Sequence, residues 1–188
     1  MSHPRAVYLG IDSASPYLTL ALWSQEGVLE RFCEEVARDH AKRIGVELED
    51  LLKRAAVRRS DLAGIGVGIG PGSYTGLRVG VAVAKGIAQG LDITLRGESS
   101  LAAMASAQLS ADVPRGVVAL DARRGNVYAG VFELTEDGFR CGDVEKILRD
   151  DLKARYPDLP YFENTAPDAA YLARRAAEGP KRAVPLYL

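Results

Sequence analysis

The sequence predicts an α/β fold built twice over, with its second half reduced. Three observations carry this. An apolar run ending in an acid, a turn and a β-rich run occur at residues 6–23 and again at residues 117–134. Short apolar runs of strand length alternate with segments of helical periodicity between the two copies. A glycine-rich loop, residues 66–76, opens the most apolar helical segment of the chain.

Taken in order, Ala6 to Asp12 and Tyr17 to Trp23 read as two strands joined by the turn Ser13-Ala14-Ser15-Pro16. Gln25-Glu26-Gly27 makes a second turn, and Val28 to Val36 a third, more exposed strand. Asp39 is placed to cap a helix running to about Ala56, with Ile44, Leu48, Leu51 and Leu52 along one face. Lys53, Arg54, Arg58 and Arg59 form a basic stretch that closes this helix and reads as its solvated end. Gly64 to Ile69 is a buried strand, Thr94 to Arg96 a further short one, and Ser99 or Ser100 caps a helix through Leu109.

The second half opens after the connector Asp112 to Gly116. With Asp121 set on Asp12, Tyr17 falls on Asn126, Leu18 on Val127, Leu20 on Ala129, Leu22 on Val131 and Trp23 on Phe132. Such a repeat at the start of each half is the mark of an internal duplication, and the actin-like (ASKHA, ribonuclease H-like) architecture is built that way. Beyond it come a turn at Glu136-Asp137-Gly138, an irregular stretch with Pro157, Pro160 and Pro167, a helix from about Asp168 to Glu178, and a terminal Val184 to Leu188. The expected division is residues 1–109 for the first lobe and 110–188 for a reduced second lobe, too poor in apolar positions to close a core alone.

In the central block, Gly66 to Gly76, glycines permit close backbone approach, Pro71 stiffens the turn, and Ser73 or Thr75 can cap the helix that follows. Amides exposed at that helix start could hold an anion, but no Gly-Lys-Ser/Thr makes this a P-loop, and a tight strand-to-helix connection is the favoured explanation of the glycines. Between Thr75 and Gln89 the only long polar side chains are Arg78, Lys85 and Gln89, near one stripe. Either the fold wraps this helix or a partner shares it. Gly76 and Gly80, four apart, would admit another backbone, with Val79 and Val83 filling the contact. These four are the expected interface residues.

With 24 basic and 25 acidic residues the net charge is −1, which offers no global field for a phosphate backbone. No segment approaches the roughly 20 apolar residues of a membrane span, and residues 1–5 have no signal-peptide character, so a cytoplasmic protein is expected. Cys33 and Cys141 make neither a disulfide framework nor a zinc pattern and read as buried or half-buried free thiols. A catalytic metal wants about three protein ligands, whereas the histidines are His3, near the terminus, and His40, which reads as a helix-start residue. Ser73 and Thr75 have no base nearby in sequence. The residues therefore point to no catalytic, cofactor-binding or metal site.

Leu9 to Ser13, Gly68 to Gly80, Ala84-Lys85-Gly86, Ser99-Ser100-Leu101, and Asp121-Ala122-Arg123 with Val127-Tyr128 together resemble the TsaB (YeaZ) family, in that family's order over residues 6 to about 132. Pro185 to Leu188 is a weaker echo, and residues 135–183 look abbreviated. The resemblance implies a non-catalytic, actin-like subunit of the bacterial machinery for tRNA N6-threonylcarbamoyladenosine. Such a subunit supports the transferase TsaD together with the ATPase TsaE and reaches tRNA only through the complex. It also implies pairing through first-lobe helices, as a homodimer when alone. The alternative is an autonomous actin-like kinase, for which Asp12 and Asp121 stand in the right places, or a metal peptidase.

Overall fold

The computed structural model describes residues 6–36, 39–136 and 138–186. The first sheet contains β1 (Val7–Asp12), β2 (Tyr17–Ser24), β3 (Gly27–Glu35), β4 (Leu62–Gly68) and β5 (Thr94–Glu98), in the order β3-β2-β1-β4-β5. The first three strands are antiparallel neighbours, while β4 and β5 run parallel to β1. The second sheet contains β6 (Arg115–Asp121), β7 (Asn126–Thr135), β8 (Gly138–Cys141), β9 (Glu145–Leu148) and β10 (Tyr161–Glu163). Its order is β10-β6-β7-β8, and β9 takes the other end of β7. Strand pairing thus repeats, with β6, β7 and β10 standing where β1, β2 and β4 stand. This is the actin-like duplication, and the described second lobe has no counterpart of β5.

The repeat is offset by one residue from the sequence superposition. Asp12 faces Thr19, seven positions on, whereas Asp121 faces Val127, six positions on. Trp23 therefore corresponds to Val131 rather than Phe132. Burial agrees, since Trp23 and Val131 are both half-buried while Ser24 and Phe132 are both buried. A one-residue slip exchanges the faces of a strand, so packing sets the register and the turn length follows.

Strands β1, β2 and β4 alternate large and small residues: Leu9-Gly10-Ile11, Leu20-Ala21-Leu22 and Ile65-Gly66-Val67. The large set joins a core with Ile44, Leu48, Leu51 and Leu52 of α1 (His40–Arg54) and Val81, Ala84 and Ala88 of α2 (Tyr74–Leu91). Each such fully buried side chain contributes about 1.5–3 kcal/mol. The small set forms a trough on the opposite face for α5 (Ala169–Ala176). In return α3 (Ser100–Gln108) leaves the first lobe and packs on the second sheet, where Leu101 and Met104 meet Val118, Leu120 and Phe132. The second sheet's other face is closed by Leu152 of α4 (Arg149–Arg155) with Val117, Ala119 and Val127.

Each half thus lends its last helix to the other. The last described residues also lie on the first lobe, where Lys181 bridges Arg96 and the Leu186 amide donates to the Ile69 carbonyl. Residues 169–186 accordingly pack on the first sheet, while Tyr171 of α5 also meets Phe139 of β8 edge-on with ring centroids 5.9 Å apart.

Ser73 and Ser99 cap α2 and α3 as expected, each accepting from the amide three residues on. Asp39 precedes α1 but makes no side-chain cap bond, because its carboxylate pairs with Lys42 at 2.9 Å. The free cysteines are exposed rather than buried, Cys33 on the first sheet's edge strand and Cys141 at the end of β8. His3 and the terminal residues 187–188 lie outside the described residues. Among those described, no helix is long and apolar enough to cross a membrane.

Candidate functional site

Two features surround the glycine loop: a cleft between the lobes and the outer face of α2. The loop runs over a buried acid. Asp12 ends β1 with no exposure, and its Oδ1 accepts from the Ala14 amide at 2.8 Å. Among the described residues its Oδ2 makes no hydrogen bond of regular geometry, and it fills the space beside Gly68, where a Cβ would lie 1.8 Å away. Burial pushes the Asp12 carboxyl up to about 6 from 3.8, against the opposing pull of the Ser100 hydroxyl, the Ala14 amide and His40. Ser100, one of the two candidate caps, instead accepts from the Gly70 amide at 3.1 Å and ties α3 to the loop. His40 begins α1, and its Nε2 reaches the Tyr17 carbonyl at 3.2 Å, so the proton sits on that nitrogen.

The raised carboxyl has a measurable consequence. The fold holds its proton up to about pH 6, while the unfolded chain releases it near 3.8, so Asp12's contribution is present below 3.8 and lost as pH rises through about 6. A rise of that size corresponds to about 3 kcal/mol. Asp12→Asn, which keeps the acceptor for Ala14, is expected to be more stable than the parent by about that amount above pH 7 and equal to it near pH 4. Urea unfolding at both values checks this, and equal stability at pH 8 would refute it.

The cleft has a volume of about 730 Å³. One wall is the turn Ala14-Ser15-Pro16 with Ser73, Tyr74 and Thr75 at the start of α2; the other is Asp121, Ala122, Arg123, Tyr128 and Asn164. Of the two acids that end β1 and β6, only Asp121 reaches this space. Arg149 holds Asp121 at 3.2 Å and Glu163 at 2.8 Å, and Asn164 Oδ1 accepts from the Asp121 amide at 2.8 Å. Among the described residues, no group of three or more His, Cys, Asp or Glu could hold a metal ion.

On α2 the expected interface residues separate. A Cβ on Gly76 would meet the Ser13 carbonyl oxygen at 2.0 Å, and one on Gly80 the Ser13 hydroxyl at 2.3 Å. The Ser13 hydroxyl itself donates to the Gly76 carbonyl at 2.9 Å. The close approach that these glycines allow is taken by the chain's own first turn, so both are core residues. Val79 and Val83 are half-buried along the flank that packs on the first-lobe core. Ala82, Gly86 and Gly90, four apart, are exposed together with Arg78, Lys85 and Gln89, and a Cβ on either glycine would meet nothing within 4 Å. Val46 on α1 is 59% exposed. The signal that finds this row, small residues at four-residue spacing, is the same one that selects Gly76 and Gly80.

Residues 26–178 match the family described as TsaD, tRNA N6-adenosine threonylcarbamoyltransferase. The chain belongs to the TsaD family. Within it, the likeness is to TsaB (YeaZ). The chain is 33% identical over 146 residues to the tRNA threonylcarbamoyladenosine biosynthesis protein TsaB of Escherichia coli (strain K12), covering 77% of this chain and 63% of that protein. It is also 33% identical over 144 residues to the protein of the same name from Bacillus subtilis (strain 168), covering 76% and 59%. The match thus spans about three-fifths of these curated relatives. The structure of YeaZ from Pseudomonas aeruginosa superposes with a TM-score of 0.83 at 26% identity, covering 97% of this chain and 100% of that one.

Proposed function

We propose that this chain is a non-catalytic, cytoplasmic subunit of a tRNA N6-threonylcarbamoyladenosine synthesis complex. It pairs with a TsaD-type transferase through the outer face of α2, works alongside the ATPase TsaE, and pairs with a second copy of itself when alone. The observation that carries the reading is the row Ala82, Gly86 and Gly90, where the backbone of an exposed helix stands bare beside half-buried Val79 and Val83. Glycine in a helix interior costs about 1 kcal/mol against alanine, and here no contact among the described residues requires it. A close-packed partner helix supplies the reason.

The non-catalytic part rests on Asp12. The carboxylate that would hold a metal-bound nucleotide in a kinase of this fold is fully buried and turned to Gly68 and Ser100, away from the cleft lining. Its cleft-side counterpart, Asp121, is tied to Arg149.

Gly86→Arg tests the interface without touching the protomer's core. Arginine there meets open space and raises helix propensity, so the melting temperature should hold or rise slightly. Self-association in sedimentation and retention of TsaD from the same source should each weaken at least about 100-fold, the loss of two or more close-packed contacts. A stable variant that dimerises and retains TsaD like the parent moves the interface elsewhere.

A further inference from the structure

The wall of the cleft contributed by the second lobe has a composition that pairing through α2 does not use. Tyr128 lines it, and Lys146 on the neighbouring strand β9 places its ammonium 5.8 Å from the centre of the Tyr128 ring. The adjoining turn holds Arg123 and Arg124 with φ of 66° and 53°, ahead of Gly125 at 76°. Two successive non-glycine residues in the left-handed region are costly, and glycine or asparagine would relieve the strain. Among the described residues neither arginine has an ion-pair partner, and both are exposed. Across the cleft, Tyr74 is 59% exposed, with the Arg78 guanidinium 5.2 Å from its ring centre.

Each wall therefore presents a tyrosine with a cation over its ring just outside the lining, Lys146 on one side and Arg78 on the other, and Arg123 adds a cation to the lining on the Tyr128 wall. Two acids share the space: Asp121, already bound by Arg149, and Glu35 on the first-lobe side. Aromatic faces take bases of any sequence, and cations beside them take the accompanying phosphates; together they are the means by which proteins hold single-stranded nucleic acid. A cleft of about 730 Å³ lies in the range of ligand-sized sites.

We propose that this cleft holds unpaired nucleotides of an RNA strand, with bases against Tyr128 and Tyr74 and phosphates on Arg123 and Lys146. The contact is weak in the isolated chain because the net charge of −1 gives no long-range attraction. It extends the reading of the chain as a tRNA-modification subunit but does not depend on TsaD. It is measured on this chain alone, and the cleft variants should retain TsaD like the parent. Loss of TsaD capture in the parent would strike the partner reading while leaving this one in place.

The probe is a fluorescein-labelled single-stranded RNA heptamer, titrated by anisotropy at several salt concentrations. A Kd on the order of 10–100 µM is expected at low salt, and log K should fall with log salt. Arg123→Ser and Lys146→Gln, both at exposed positions, should each reduce that slope by about 0.7. Tyr128→Ala should weaken binding about tenfold while Tyr128→Phe stays near the parent, because stacking needs the ring and not the hydroxyl. The proposal falls if the heptamer does not bind, or if the salt slopes are unchanged in the charge variants. It also falls if duplex RNA binds equally well, or if AMP competes at the heptamer's own concentration, which would make the cleft a mononucleotide pocket.

Discussion

Gly66→Val is expected to unseat α5 and with it most of the stability of the first lobe. A Cβ on Gly66 would lie 1.9 Å from the Leu172 carbonyl oxygen and 2.5 Å from its carbon, both main-chain atoms of α5. Relief requires the helix to move, since a backbone cannot choose another rotamer. It cannot move freely, because Leu172 and Ala173 are fully buried and Gly10 makes the same approach to the Ala169 carbonyl at 1.8 Å. The cost should exceed the usual ~1–3 kcal/mol of overpacking and reach on the order of 5 kcal/mol. The variant should be largely insoluble, or should unfold at far lower urea than the parent. Gly45→Ala on α1 is the control, because its Cβ meets nothing within 4 Å and alanine gains about 1 kcal/mol in a helix. If Gly66→Val and Gly45→Ala unfold at the same denaturant concentration, α5 is not seated as described.

Removal of Glu98 should have the next largest effect. Its side chain, 7% exposed, accepts from Arg96 at 2.7 Å and Lys181 at 3.1 Å, with Arg175 at 3.5 Å. Arg96 also reaches Glu178 at 3.3 Å and the Gly179 carbonyl at 3.2 Å. One carboxylate thus ties β5, the end of α5 and the segment beyond it. Burial alone would raise the Glu98 carboxyl, but Arg96 and Lys181 outweigh it and hold it below the usual range.

Glu98→Ala leaves Arg96 and Arg175 with Glu178 as their shared carboxylate and Lys181 without an ion-pair partner among the described residues, so the loss should lie near the lower end of the roughly 3–5 kcal/mol for breaking a buried pair. The melting temperature should fall by about 10 °C. Trypsin should cut after Lys181 or Arg182 before the rest of the chain is digested. The pH dependence is opposite in sign to that of Asp12. Because the Glu98 carboxyl is lowered in the fold, its contribution is present above the unfolded value of 4.5 and lost as pH falls through the folded value. An unchanged melting temperature with a protected tail would show that the cluster pins nothing.

Much of this protein can be read from local pattern. β1, β2, β6 and β7 lie where β-rich runs ending in an acid place them, and α2 begins at its Ser73 cap. These elements are legible because period-2 and period-3.6 alternation, turn residues and caps act over a few neighbouring residues. β8, β9, β10 and α4 lie inside a stretch that reads as irregular. They are three to seven residues long, and in α4 only Leu152 is buried, too few positions for a period to show. Strands so short exist because β6 and β7 are there to pair with them.

The sequence by itself determined the duplicated α/β architecture, the acids that end β1 and β6, and a helix too apolar to be an ordinary surface helix. Tertiary structure decided what meets what. Gly76 and Gly80 read as an outward seam but accommodate Ser13, while Gly86 and Gly90 face outward. Gly10 and Gly66, which the sequence places on strands without naming what approaches them, are the floor on which α5 rests. A glycine's spacing announces that some backbone approaches closely. Whether that backbone is a turn of the same chain, a helix more than a hundred residues away or another molecule depends on long-range packing, whose partners leave no periodic trace in a single sequence.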